Sequence, residues 1–308
     1  MGTTALGRAV DALRRASFVE REGARGAAAG EAALEGWRAW SPAAALLHFT
    51  TKDAPFVEHG RGERALARRA AVDPAPPPAK RAASARVRRL PPADVAGEFP
   101  RVLLARRTWR RFARTALEPG ALATLLRLTF GVQGWMELRG IGRAALKTSP
   151  SGGARHSIEA YVLARHVDGL APGLYHYDAQ GHALARLRGG RRSAEVARYL
   201  PQQPWFADAP AVVFMAAVFP RVQWRYDHPR AYRVVLAEAG HLCQTFLLAA
   251  TWLGLAPFCT MALADTRIER ALGLDGVSES VLYAAGVGHR PRGARSGQAP
   301  TKRRGGQA

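Results

Sequence analysis

Residues 148–177 read TSPSGGARHSIEAYVLARHVDGLAPGLYHY, and the fold turns on how this stretch is parsed. It opens on a Pro-Ser-Gly-Gly turn, Pro150 to Gly153. Proline fixes one φ, and two adjacent glycines reach conformations closed to other residues while letting another molecule approach the backbone. The β-branched and aromatic run EAYVLARHV follows, then a Gly-Leu-Ala-Pro-Gly turn and a second short strand, LYHYD. A glycine-rich loop thus feeds a β-hairpin, an arrangement suited to holding the edge of a flat, hydrogen-bonding ring. Taken alone, PSGG reads first as an ordinary turn before an ordinary hairpin.

Downstream, residues 182–187 read as a further strand and 193–200 as a short helix capped by Ser193. The run PAVVFMAAVF (210–219) is continuously apolar and of strand length, fit for a sheet centre. Over 232–253 apolar residues recur at nearly every position, as in a helix buried on most sides, and Gly254 supplies its C-cap. Residues 264–272 predict a helix begun by Asp265 or Thr266, and 279–288 a strand ending in glycines. Upstream, ARRTWRRFARTALEPG sets arginines 106, 107, 110 and 111 around Thr108. A helix then starts near Pro119 with Leu122, Leu125, Leu126 and Thr129 facing inward. Arginine bonds phosphate bidentately, and a neighbouring hydroxyl adds a donor.

Taken in order, ARRTWRRF, PSGGARHSIEAYV, GLAPGLYHYD, WRY, RAYR and EAGH resemble the SagB-type dehydrogenases. These are FMN enzymes of the nitroreductase superfamily that oxidise azoline rings in ribosomally made peptides. The resemblance runs from about residue 106 to 288. It implies an α+β, nitroreductase-like fold, a central mixed sheet flanked by helices, with FMN at a homodimer interface formed largely by the helix after Tyr232. Arg107, Thr108 and Arg110 would hold the FMN phosphate and ribityl chain, and Pro150, Ser151, Gly152 and Gly153 the ring edge. Gly288 ends the last strand as in the family, and Arg290 would add to phosphate binding.

The family's catalytic Lys-Tyr pair corresponds here to Arg225 and Tyr226. A tyrosine beside a fixed cation has a stabilised phenolate and can remove a proton, which azoline oxidation requires. Arginine keeps the charge but cannot itself accept a proton at usable pH. A base role for the family's lysine would be lost here, whereas a role in tuning tyrosine would pass to Arg225. Gln244-Thr245 stands where the family commonly has Gln-Asn, and His156 and His241 are rival bases.

The 308 residues suffice for one large domain and a smaller one, and 48% hydrophobic residues is ordinary for a globular chain. Net charge is +21, yet only four of the 45 basic residues are lysine, the signature of a codon-driven arginine bias. With no aromatic-basic stacking module or recognition helix, nucleic acid is not the expected partner. No run of about 18 uncharged apolar residues argues for a membrane span, and the N-terminus makes a poor export signal, so a cytoplasmic location is expected. Cys243 and Cys259 are too far apart in sequence for a CxxC pair and read as small buried hydrophobes. His48 and His59 have no carboxylate or cysteine at ligand spacing, and no metal is expected.

The predicted organisation is a small, mostly helical N-terminal segment (1–60), a Pro/Arg-rich linker (61–95), the FMN domain (96–289) and a basic disordered tail (290–308). Within the first segment, residues 3–15 and 31–40 read as helices, and 42–52 as a turn into an apolar stretch. The expected substrate is a peptide or small molecule, and a cyclodehydratase is a candidate partner. Two alternatives are a stand-alone NAD(P)H-dependent nitro or quinone reductase, and a flavin-free scaffold in a peptide-modifying complex.

Overall fold

The computed structural model describes residues 35–73, 76–79, 90–139, 142–191 and 195–293. Within them, β1 (Gly134–Leu138) and β2 (Gly142–Leu146) form a separate hairpin. The main sheet comprises β3 (Ile158–Ala164), β4 (Gly173–Asp178), β5 (Ala183–Gly189), β6 (Ala211–Val218), β7 (Ala256–Thr260) and β8 (Glu279–Gly288), in the order β5-β4-β3-β6-β8-β7. The apolar run at 210–219 therefore does become a central strand, with both faces of β6 covered. Every pairing in this sheet is antiparallel, where a mixed sheet was expected. The parallel component is an isolated bridge between Leu117 and Val167.

Seven α-helices are described: α1 (Ser41–Thr51), α2 (His59–Val72), α3 (Glu98–Ala105), α4 (Pro119–Phe130), α5 (Phe219–Gln223), α6 (Ala231–Trp252) and α7 (Asp265–Leu272). Successive residues of a strand face opposite ways, so β6 serves two cores. Val213, Met215 and Ala217 pack with Leu122, Leu125 and Leu126 of α4 and with Val235, Leu242 and Phe246 of α6. Val212, Phe214 and Ala216 pack with Tyr199, Phe206, Phe258, Ile268 and Leu272 on the other side. Each fully buried Leu, Val or Phe contributes about 1.5–3 kcal/mol, which fixes α6 on the sheet. By length and composition α6 could cross a membrane, with a mean hydropathy of 1.3, but its inner half is spent on this core.

Several expectations change in detail. The apolar stretch over 42–52 is α1 rather than a turn, begun by Pro42 in its first turn. The tract expected as linker opens with α2, none of whose residues is buried. The short helix expected over 193–200 reduces to a 3-10 turn, Val196–Arg198, and its proposed cap Ser193 lies outside the described residues. So do the helix expected over 3–15 and most of the basic tail. Neither Asp265 nor Thr266 caps α7 with its own side chain. Instead Asp53, at the end of α1, accepts from the Thr266 amide at 3.2 Å. The N-terminal segment contributes Trp37, Trp40, Ala44 and Ala45 to the same core as α6.

Candidate functional site

One buried acid fastens the loop of residues 150–153. Glu238, on the inner face of α6, accepts from Ser151 Oγ at 2.7 Å, Ser157 Oγ at 3.1 Å and the Ile158 amide at 3.2 Å. Burial pushes its carboxyl above the ordinary range against the pull of these donors. Ser151 Oγ in turn accepts from the His156 amide at 2.8 Å, closing the turn on itself. Farther along the helix, Ser149 and Thr245 share a hydroxyl–hydroxyl bond of 2.7 Å, and His241 Nδ1 lies 3.4 Å from the Pro150 carbonyl. Glu238 was missed as a site residue, and its signal was an acid set in an otherwise apolar helical stripe.

Arg225 and Tyr226, which follow α5 by two and three residues, pack onto this loop. Gly153 has φ of +60°, and a Cβ there would sit 3.0 Å from Tyr226 Oη and 3.2 Å from Arg225 Nε. At Gly152 a Cβ would come within 2.3 Å of Val234. Glycine is thus required at both positions, one for conformation and one for close approach. The Arg225 guanidinium carbon stands 5.9 Å from the centroid of the Tyr226 ring. From behind, Trp40 Nε1 donates to the Tyr226 carbonyl at 2.9 Å. Next door, Arg155 lies over Trp224 at 5.1 Å and donates from Nε to the Gly153 carbonyl at 3.2 Å. The rival base His156 points its Nε2 to the Ala145 carbonyl at 2.9 Å, and burial holds its pKa down. Two motifs about seventy residues apart in sequence thereby meet at one point.

The arginine-rich segment sits at the other end of α6. The Trp109 amide donates to the Pro257 carbonyl at 2.9 Å. Arg290 Nε donates to the Leu255 carbonyl at 3.0 Å, and its guanidinium lies 5.5 Å from the Trp109 ring. Arg107 is exposed and directs Nη1 to the carbonyls of Leu104 and Arg106 at 2.8 and 2.7 Å. Thr108 is half-buried and Arg110 exposed. Gly288 is buried, and a Cβ there would strike Pro210 at 2.7 Å and Phe112 at 2.9 Å, which makes it a packing glycine. Ten residues of helix, about 15 Å, separate His241 beside the loop from Thr251 beside Arg290. One chain therefore does not bring Arg107, Thr108, Arg110 and Arg290 against residues 150–153.

Among the described residues, Arg106, Arg107, Arg110 and Arg290 form no ion pair with a carboxylate. A set of unneutralised guanidiniums with a threonine hydroxyl suits a phosphate dianion, and a glycine pair under a tyrosine suits a planar ring. Beside this segment the two cysteines also meet. The Tyr283 hydroxyl donates to Cys259 Sγ at 3.6 Å, and the Cys243 thiol hydrogen-bonds to the same sulfur. That bond, with the Arg106 charge, holds the half-buried Cys259 below the usual thiol range and pushes the buried Cys243 above it.

Comparison with known proteins gives this geometry a context. Residues 103–289 match the sequence model of the Nitroreductase family. A Methanocaldococcus jannaschii protein named as a nitroreductase is 33% identical over 171 residues, 56% of this chain and 82% of that one. The trifolitoxin-processing protein TfxB of Rhizobium leguminosarum bv. trifolii is 34% identical over 148 residues, 46% of this chain but 39% of that longer one. Among solved structures, a chain of the E. coli microcin synthetase McbBCD complex with truncated pro-MccB17 shares the fold. It has a TM-score of 0.53 at 18% identity, covering 86% of this chain and 92% of that one.

Proposed function

This chain belongs to the nitroreductase family, and from that premise we propose that it is an FMN-dependent oxidoreductase of the SagB type, oxidising azoline rings to azoles in a ribosomally made peptide. The observation that carries the reading is the meeting of Arg225 and Tyr226 with Gly152 and Gly153 on a loop locked by Glu238. The relationship to a trifolitoxin-processing protein supports a peptide substrate.

FMN, when bound, supplies the two-electron acceptor for the hydride that leaves the azoline carbon. The chain's own residues do the rest. Arg107, Thr108, Arg110 and Arg290 would hold the phosphate, and Pro150 to Gly153 the ring edge. The cofactor would lie between two protomers that pair through the outer stripe of α6. Tyr226 takes the proton that the substrate loses, with the Arg225 guanidinium 5.9 Å from its ring centroid. The Trp40 bond to the Tyr226 carbonyl fixes the position of the base. The protein would act in the cytoplasm, beside a cyclodehydratase that makes the azolines.

Tyr226→Phe tests this reading, since it removes only the hydroxyl. It is expected to leave bound FMN unchanged and to slow azoline oxidation roughly a hundredfold, within the usual worth of a general base. The measurement is the two-hydrogen mass loss of an azoline peptide over time. Arg225→Lys should retain most activity. Oxidation at the parent rate by Tyr226→Phe would move the search to His156 and His241. The name of the M. jannaschii relative favours the competing reading, a reductase fed by NAD(P)H. Rapid NADPH consumption with a nitroarene, and none of the azoline mass loss, would establish it instead.

A further inference from the structure

A cavity of about 680 Å³ opens on the far side of the loop, between the β1–β2 hairpin and the start of α5. Its wall includes Ala154, Arg155 and His156, the residues that directly follow the glycine pair. Four cations line it: Arg143, Lys147, Arg155 and Arg221. Two carboxylates face them, Glu159 and Asp178. Glu159 is already shared, with one oxygen 2.5 Å from Arg221 Nη1 and the other 3.0 Å from His176 Nε2. Asp178 turns an oxygen to the Gln180 amide at 3.0 Å.

Lys147 is what remains. Its ammonium is half-buried and makes no hydrogen bond or ion pair among the described residues, a costly state for a desolvated charge. The burial holds its pKa down. It is also one of only four lysines in a chain whose other 41 basic residues are arginine, so arginine bias does not account for it. Two indole faces flank the space, Trp135 under Arg143 at 4.8 Å and Trp224 under Arg155 at 5.1 Å, and both tryptophans are largely exposed. A cavity with a half-buried cation that forms no ion pair with its carboxylate neighbours Glu159 and Glu238, next to the loop that would carry the ring being oxidised, has a place for an anion on the ligand.

We infer that this cavity binds a carboxylate of the substrate, an acidic residue of the peptide a short distance along the chain from the ring that is oxidised, with Lys147 as its partner. The inference rests on the peptide reading given above and adds to it a sequence preference. The volume lies within the range of small-ligand sites and admits a side chain with its neighbours, and the tryptophan faces would cover their apolar parts.

The test is direct binding, which does not depend on turnover. The full-length protein with its flavin content recorded is titrated with two blocked six-residue peptides that differ only by Glu in place of Gln, following tryptophan fluorescence. The Glu peptide is expected to bind roughly tenfold tighter or more, the worth of a charge-assisted hydrogen bond. Lys147→Gln should erase that preference with flavin content unchanged, and Lys147→Arg should keep much of it. Equal affinity of the wild-type protein for both peptides would overturn the inference, and so would a preference that survives Lys147→Gln. Should Lys147→Gln fail to fold, equal affinity of the wild-type protein for the two peptides still overturns the inference. NADPH and inorganic phosphate are titrated in parallel. Lys147-dependent binding of either, with no discrimination between the peptides, would assign the cavity to phosphate and overturn the peptide carboxylate. Absence of azoline turnover alongside an intact Glu preference would count against the oxidase reading alone.

Discussion

Arg107 and Arg225 bring the same guanidinium into different surroundings, and their neighbours decide what each can do. Arg107 is propped on two backbone carbonyls at the edge of a segment without carboxylates. Arg107→Ala is therefore expected to weaken FMN binding by about 1.5–3 kcal/mol, the worth of a hydrogen bond to a charged group. Arg69→Ala on the exposed α2 should leave it unchanged, and equal losses in flavin titrations would trace retention to overall basicity. The motifs around both arginines were legible because each is a local string. The cysteines were not: sixteen positions separate them, and only the return from α6 into β7 brings them together. The Cys243 hydrogen bond holds Cys259 below the usual thiol range, and a low-pKa thiol reacts faster near neutral pH. Iodoacetamide at pH 7 should alkylate Cys259 and spare Cys243, as read by peptide mass mapping. Cys243→Ala should slow that labelling.

Among the elements, α4, α6, β6 and β8 were readable because burial writes its period, or a continuous apolar run, directly into the residues. The hairpin β1–β2 was not, since GWMEL and GRAAL show no alternation. Nor was α1, whose place depends on partners nearly two hundred residues away. His48 on α1 is buried, stacked on Trp37 at 4.9 Å, with Nδ1 3.1 Å from the Tyr232 hydroxyl. Burial pushes its pKa from 6.5 down to about 3. A lowered histidine pKa means that the unfolded chain takes up a proton where the folded one does not. The contribution of His48 is thus fully present above pH 6.5 and is lost as the pH falls towards 3. The slope is about 1.4 kcal/mol per pH unit. Thermal melts should show a drop between pH 7.5 and 5 that His48→Phe reduces. An equal drop in both proteins would place the acid sensitivity in the carboxylates.

For the whole molecule, the proposed pairing of protomers rests on the outer stripe of α6. Arg233, Ala237, His241, Gln244 and Trp252 are exposed on one chain, and the loop and the arginine segment flank them. Ala237→Arg is expected to yield a monomer by light scattering and, with it, a colourless protein. A monomer that keeps its flavin would mean that each chain holds the cofactor alone. That the sheet is antiparallel throughout could not be read from strand patterns, because alternation reports burial and not direction. The core does not respect the boundary drawn at residue 96. Lys52 pairs with Glu269 at 2.6 Å, Trp37 Nε1 donates to the Val277 carbonyl, and Trp40 holds the carbonyl of Tyr226. The stretch 96–289 is thus tied to the residues before it by these contacts. A gene fusion that transplanted it would carry the tyrosine and leave Trp40, the anchor of its carbonyl, behind.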